Sequence, residues 1–278
     1  GRTVIYGLRQ TDWENNRGVS SLWSVQTGGG EPHRLAISDE GAGNARWAAD
    51  GRLFFLRGGQ VWVSADQGAT ATQATALPLD VGSFRIGPDG GSLVVSLEVY
   101  PACEGDLACT VNEVSHREGR TETGQVYDRT FVRHWDTWED GRRNHLFRVD
   151  LTPGTPASTA TALMPGFDGD TPSDPFGDEG EYAISPDGGS VIFSARLAGQ
   201  TEAWSTNFDL YQTPMTGGEL VNLTDANDAW DTGPVFSPDG RTLAYRAMSR
   251  PGFEADRWRI LLRDVATGTT REIAADWD

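Results

Sequence analysis

The sequence predicts an all-β protein, a β-propeller of about five four-stranded blades that starts and stops inside its own repeat. Three observations carry this. A turn tetrapeptide recurs along the chain, matched strands flank each copy, and the composition is that of short strands joined by many turns. The 278 residues include 34 Gly, 14 Pro and 10 Trp, with short apolar runs and no helix-sized amphipathic segment.

The turn is Ser185-Pro186-Asp187-Gly188, repeated as Ser237-Pro238-Asp239-Gly240, with variants at Gly87-Pro88-Asp89-Gly90 and Ala48-Ala49-Asp50-Gly51. Ser first, Pro second and Gly fourth fit a type I β-turn. The strand before each turn is Arg46-Trp47, Phe84-Arg85-Ile86, Tyr182-Ala183-Ile184 or Val235-Phe236. The strand after it is an apolar triplet: Leu53-Phe54-Phe55, Leu93-Val94-Val95, Val191-Ile192-Phe193 or Leu243-Ala244-Tyr245. Such triplets suit a strand covered on both faces, as where sheets stack. A third strand runs through Leu22–Val25, Val61–Val63, Leu146–Val149, Leu210–Thr213 and Leu262–Val265, and a fourth through Leu220–Leu223 and Arg271–Ile273.

These repeats divide a partial propeller, residues 1–278, into blades of about 1–40, 41–80, 81–165, 180–225 and 233–275, the third carrying an insertion at 98–143. Gly1-Arg2-Thr3-Val4-Ile5-Tyr6 matches Gly240-Arg241-Thr242-Leu243-Ala244-Tyr245, so the chain is expected to be cut from a longer protein. Blade edges left open by such a cut make self-association an expectation.

A net charge of −17 argues against nucleic acid, and no apolar run approaches the length of a membrane span. Every one of the 23 basic residues is arginine. Cys103 and Cys109 lie near each other in the insertion, without the two further ligands a zinc site wants. Two readings stand: a small disulfide loop, which implies an exported protein, and two free thiols of a cytosolic one. The first is favoured.

The chemistry of a hydrolase is not written here. There is no Gly-x-Ser-x-Gly, so no catalytic residue, metal ligand or cofactor is assigned. The histidines His33, His116, His134 and His145 are scattered and read as surface or turn residues. Acidic loops at Asp168–Glu181 and at Asp225, Asp228 and Asp231 read as solvated turns, with Glu179 or Glu181 the candidates to pair with a cationic ligand group. The insertion holds Arg117, Arg120, Arg129, Arg133, Arg142 and Arg143 among Phe131, Trp135 and Trp138. Its string Arg133-His134-Trp135-Asp136-Thr137-Trp138 makes Arg133 and Trp135 candidates for ligand contact, against a purely structural stacking role.

That string, followed by Asn144-His145-Leu146-Phe147, resembles bacterial exported peptidases of the prolyl oligopeptidase family, in the acylaminoacyl-peptidase and dipeptidyl-peptidase branch. Ser237–Tyr245, Arg250–Arg257, the cysteine pair after Tyr100-Pro101 and the terminal Asp276-Trp277-Asp278 share the resemblance. It implies an incomplete part of a seven- or eight-bladed propeller that caps an α/β-hydrolase domain lying beyond this chain. The chain would gate and help bind short peptides in the periplasm, and would have no peptidase activity alone. Asp178-Glu179-Gly180-Glu181 matches the family's amine-binding glutamate pair only approximately. The alternative is a TolB-like periplasmic propeller serving as a protein-binding scaffold, because such propellers share the Ser-Pro-Asp-Gly turns.

Overall fold

The computed structural model describes residues 1–127, 130, 132–197 and 199–276. Arg129, Phe131, Trp277 and Asp278, named above, lie outside the described residues.

Antiparallel sheets follow one another along the chain. The first is β1 (Thr3–Asp12), β2 (Arg17–Gln26) and β3 (His33–Arg34), in that order. The second is β4 (Gly43–Trp47), β5 (Leu53–Arg57), β6 (Gln60–Ser64) and β7 (Thr72–Gln73). The third begins with β8 (Val81–Ile86) and β9 (Ser92–Val99). It is interrupted by helix α1 (Leu107–Glu118) and a small hairpin of β10 (Arg133–His134) and β11 (Thr137–Trp138), then completed by β12 (Arg143–Asp150) and β13 (Thr161–Ala162). The fourth is β14 (Tyr182–Ile184), β15 (Ser190–Ala195), β16 (Asp209–Pro214) and β17 (Val221–Asn222). The fifth is β18 (Asp231–Phe236), β19 (Thr242–Ala247), β20 (Arg259–Asp264) and β21 (Thr270–Ile273). Four strands in sequential order, repeated sheet after sheet, are propeller blades.

The repeated turn works through its side chains. Ser185 Oγ donates to Asp187 Oδ1 at 2.5 Å and accepts from the Ser190 amide at 2.9 Å, while the Gly188 amide closes the turn on Ser185 O at 2.8 Å. Ser237, Asp239, Thr242 and Gly240 repeat these bonds. Gly188 and Gly240 both sit at φ 71, the left-handed region where a Cβ is strained. The triplet after the turn is shielded on both sides: Leu53, Phe54, Phe55, Leu93, Val94, Val95, Val191 and Phe193 are fully buried.

The chain forms two compact units, Gly1–Leu93 with Val149–Ala160 and Val94–Arg148 with Thr161–Asp278. In the first, Leu22, Leu35, Ile37, Leu53 and Phe55 build the core. In the second, Phe167, Tyr182, Phe193 and Tyr211 anchor a larger one, with Leu210, Leu243 and Tyr245 in another. Phe167 meets both Phe193 and Tyr211 edge-on, the aromatic arrangement that ring quadrupoles favour.

One expectation is corrected. The insertion contains α1, although no helix-sized amphipathic segment was read there. The helix buries only Thr110, so it has no apolar stripe to announce it. Local chemistry defines it instead: Asp106 caps its start, accepting from the Ala108 and Cys109 amides at 2.9 and 3.2 Å. Cys103 and Cys109 are joined in a disulfide across that start.

Candidate functional site

In the second unit the Ser-Pro-Asp-Gly turns and the turns between the third and fourth strands lie at one end of the strands, and antiparallel order sends the other loops to the opposite end. Residues 100–127, 132–142, 163–181, 196–197, 199–208, 224–230 and 248–258 therefore gather where β12, β16 and β20 begin. The chemistry of the unit is concentrated on that end.

Its centre is Arg143, the first residue of β12. Its guanidinium donates to Glu202 at two points, 2.9 and 2.7 Å, to Asp170 at 2.9 Å and to Asp168 at 3.4 Å. The Arg143, Asp170 and Glu202 side chains are all nearly buried. Burial by itself would lower the Arg143 pKa, but the Glu202 hydrogen bond and the charges of Asp170, Glu202 and Asp168 outweigh it and hold it above its ordinary value. Burial pushes Asp170 up to about 6 despite Arg143 and the Asn144 amide, which donates to it at 2.8 Å. Arg196 approaches Glu202 at 3.6 Å and caps the Phe208 ring.

Glu139 faces this hub from the insertion. Burial raises its pKa to about 7; Arg143 opposes the rise, while Asp170, Asp174 and Glu202 add to it. Asp168, Asp170 and Glu202 pair with Arg143, Glu202 also approaches Arg196, and Glu139 and Asp174 add their charge to the group. The surplus is negative, and a half-buried carboxylate within it is a place where a cation gains most.

An aromatic patch adjoins it along the chain. Trp135, at φ 50 in the β10–β11 turn, is 73% exposed, and Phe176 is 69% exposed. The two rings meet at 5.3 Å, and His134 packs against both, at 5.3 and 5.5 Å. Arg133 donates to Trp135 O at 3.0 Å and lies over Trp138, the residue before Glu139. Phe176 is presented by a tight loop: Glu181 accepts from both the amide and the hydroxyl of Ser173 at 2.7 Å, and the Gly177 amide bonds Ser173 O.

The expected site residues are thus divided. Arg133 and Trp135 sit in the patch. Glu181 is turned inward, buried enough to raise its pKa and occupied in holding the loop of Phe176. Glu179 lies in the short helical turn just before it. Glu139 was missed, although it directly follows the Arg-His-Trp-Asp-Thr-Trp string. Three readings are corrected: Asp231, read with Asp225 and Asp228 as a solvated turn residue, is 1% exposed at the start of β18. Asp170 is no solvated turn residue but the buried partner of Arg143, and His145 is no surface residue. His145 is 1% exposed, its ring bonds Phe167 O at 2.7 Å, and burial lowers its pKa to about 4.

Sheets of this order with an enlarged, charged loop end define a β-propeller segment. Peptidases are among the proteins it is similar to. Dipeptidyl-peptidase 5 of Porphyromonas endodontalis is 30% identical over 269 residues, which is 94% of this chain and 38% of that protein. Among solved structures, the acylaminoacyl peptidase of Pyrococcus horikoshii matches the whole chain over 38% of its own, with a TM-score of 0.66 at 15% identity. The β-propeller domain of the Trilobed protease from Pyrococcus furiosus matches the whole chain over 69% of its own, with a TM-score of 0.52 at 12% identity. These two likenesses establish the propeller fold. No family model matches the chain. The chain is a propeller segment homologous to part of dipeptidyl-peptidase 5, and it spans about two fifths of the length of the curated relatives it matches.

Proposed function

We propose that this chain is the N-terminal propeller of an exported serine exopeptidase of the prolyl oligopeptidase type, and that its loop end holds short peptides by their free amino terminus. Glu139 is the carboxylate that receives the ammonium group, and Trp135 and Phe176 form the apolar wall beside it. The observation that carries the reading is the surplus of carboxylates around half-buried Glu139, which follows the exposed Trp135 and Trp138 in the insertion. The resemblance of the insertion to dipeptidyl peptidases supports the same assignment, as does the similarity to dipeptidyl-peptidase 5. Peptide-bond cleavage belongs to a hydrolase domain outside this chain. The disulfide supports an exported, periplasmic location, because such bonds persist in oxidising compartments.

The test is calorimetric titration of the chain with Ala-Phe-Ala and with its N-acetyl form. An ammonium–carboxylate hydrogen bond contributes about 1.5–3 kcal/mol, so acetylation and Glu139→Gln should each weaken binding by roughly tenfold or more. Equal affinity for the free and acetylated peptides would overturn the reading.

A further inference from the structure

Helix α1 is held at its start, its middle and its end. The disulfide ties its start to the turn after β9. One turn on, the hydroxyl of buried Thr110 accepts from the Tyr100 amide at 3.4 Å. Near its end, the Arg117 guanidinium lies over the Tyr100 ring, 4.5 Å from its centroid, and pairs with Glu113 at 2.7 Å. The rest of that guanidinium reaches out of the helix: Arg117 Nη1 donates to the backbone carbonyl of Asp140.

Asp140 is the residue after Glu139. Its carboxylate is engaged as well, accepting from the Arg142 amide at 2.9 Å and from Arg142 Nε at 2.7 Å, while Arg142 Nη1 pairs with Glu98 at 2.7 Å. On its other side, the Glu139 amide donates to Val132 O at 3.1 Å. The backbone of Glu139 is therefore held on one flank by the small hairpin and on the other by Arg117. Asp170, Asp174 and Glu202 repel the Glu139 carboxylate while Arg143 attracts it, so how its backbone is held bears on where the carboxylate stands.

We propose that Arg117, carried by the disulfide-stapled helix, is a positioning residue for Glu139, keeping its carboxylate half-buried where a peptide ammonium can reach it. The inference rests on the amine-binding reading above. It adds that peptide affinity is coupled to an element that does not touch the peptide, and that reduction of Cys103–Cys109 loosens the same hold.

The experiment compares wild type, Arg117→Ala, Glu113→Gln and the Cys103→Ser/Cys109→Ser pair in Ala-Phe-Ala titrations from pH 5 to 8.5. Folding of each is checked by circular dichroism and thermal melting. Arg117→Ala should weaken binding about tenfold and Glu113→Gln less. In both, the acid limb of the pH profile should move from near 7 toward the ordinary carboxylate range, because a released Glu139 regains water. A generally destabilised protein would lose affinity without moving that limb. Tight free-amine binding by wild type with an unchanged affinity and acid limb in folded Arg117→Ala would overturn the positioning role alone. Failure of wild type itself to prefer the free amine over the acetylated peptide would overturn the underlying reading.

Discussion

Arg143 and Glu202, 59 positions apart in sequence, meet in a two-point ion pair of 2.9 and 2.7 Å that joins the start of β12 to the loop before β16. The pair is almost dry, and Asp170 shares the same guanidinium. Removing one member of a buried pair leaves the other charge without compensation, at a cost of about 3–5 kcal/mol. Arg143→Met should lower the unfolding free energy by that order in urea titrations. Adding Glu202→Gln should recover part of the loss, since the second change removes the orphaned charge. A folded Arg143→Met protein with unaltered stability would contradict the hub.

Glu139 makes stability and binding run in opposite directions with pH. Its pKa rises from 4.5 to about 7 on folding, mainly by burial, so between those values the native state binds more protons than the unfolded one. The stability this group contributes is therefore present below about pH 4.5 and is lost as pH rises through 7. Glu139→Gln should make the protein more stable than wild type at pH 8, by about 1 kcal/mol once solvent screening of a half-exposed group is allowed for, and should show no such gain at pH 4. Thermal melts at the two pH values measure the difference. Peptide binding should follow the other sense, rising as Glu139 ionises and falling again as the peptide amine loses its proton near pH 8.

What the sequence made legible was whatever local chemistry decides. The Ser-Pro-Asp-Gly turns are closed by their own Ser and Asp side chains, so their strands could be placed on either side, and the strands lie there. The site was legible only as residue types. Asp168 and Asp170 could be seen as an acidic run, but nothing local says that Asp170 is buried against an arginine 27 positions earlier, and burial is what changes its chemistry. Glu181 looked free to bind a ligand because its partner, Ser173, lies across a loop whose fold the sequence does not announce. Helix α1 escaped notice for the converse reason, since it is set by a cap and a disulfide rather than by periodicity.

The cross-link itself sets a stability expectation. Cys103 and Cys109 close a loop of about seven residues, and the chain-entropy model assigns about 2 kcal/mol to a loop of that size. The Cys103→Ser/Cys109→Ser protein should have an unfolding free energy lower by about that amount in urea titrations. Because α1 buries little apolar surface, the loss should be local at first, with amide protection in 107–118 falling before that of β15 or β19.

The repeated turn offers the plainest test of the fold. At Gly240 an added Cβ would meet only Pro186, at 3.7 Å or more, so there is room for alanine and no clash to relieve. The backbone, at φ 71, is nevertheless in the left-handed region, where an L-residue with a side chain is disfavoured by about 1 kcal/mol. Gly240→Ala should thus cost about that much. Ser237→Ala removes two bonds of the same turn, the donation to Asp239 at 2.6 Å and the acceptance from Thr242 at 3.0 Å, and should cost a similar or larger amount. Both changes act on one turn, so the double variant should cost less than the sum: once the Ser237 bonds are gone, the turn can relax to accommodate alanine. Equilibrium unfolding of the four proteins in the cycle measures the coupling, and strict additivity would mean that the serine bonds do not hold the glycine in its left-handed conformation.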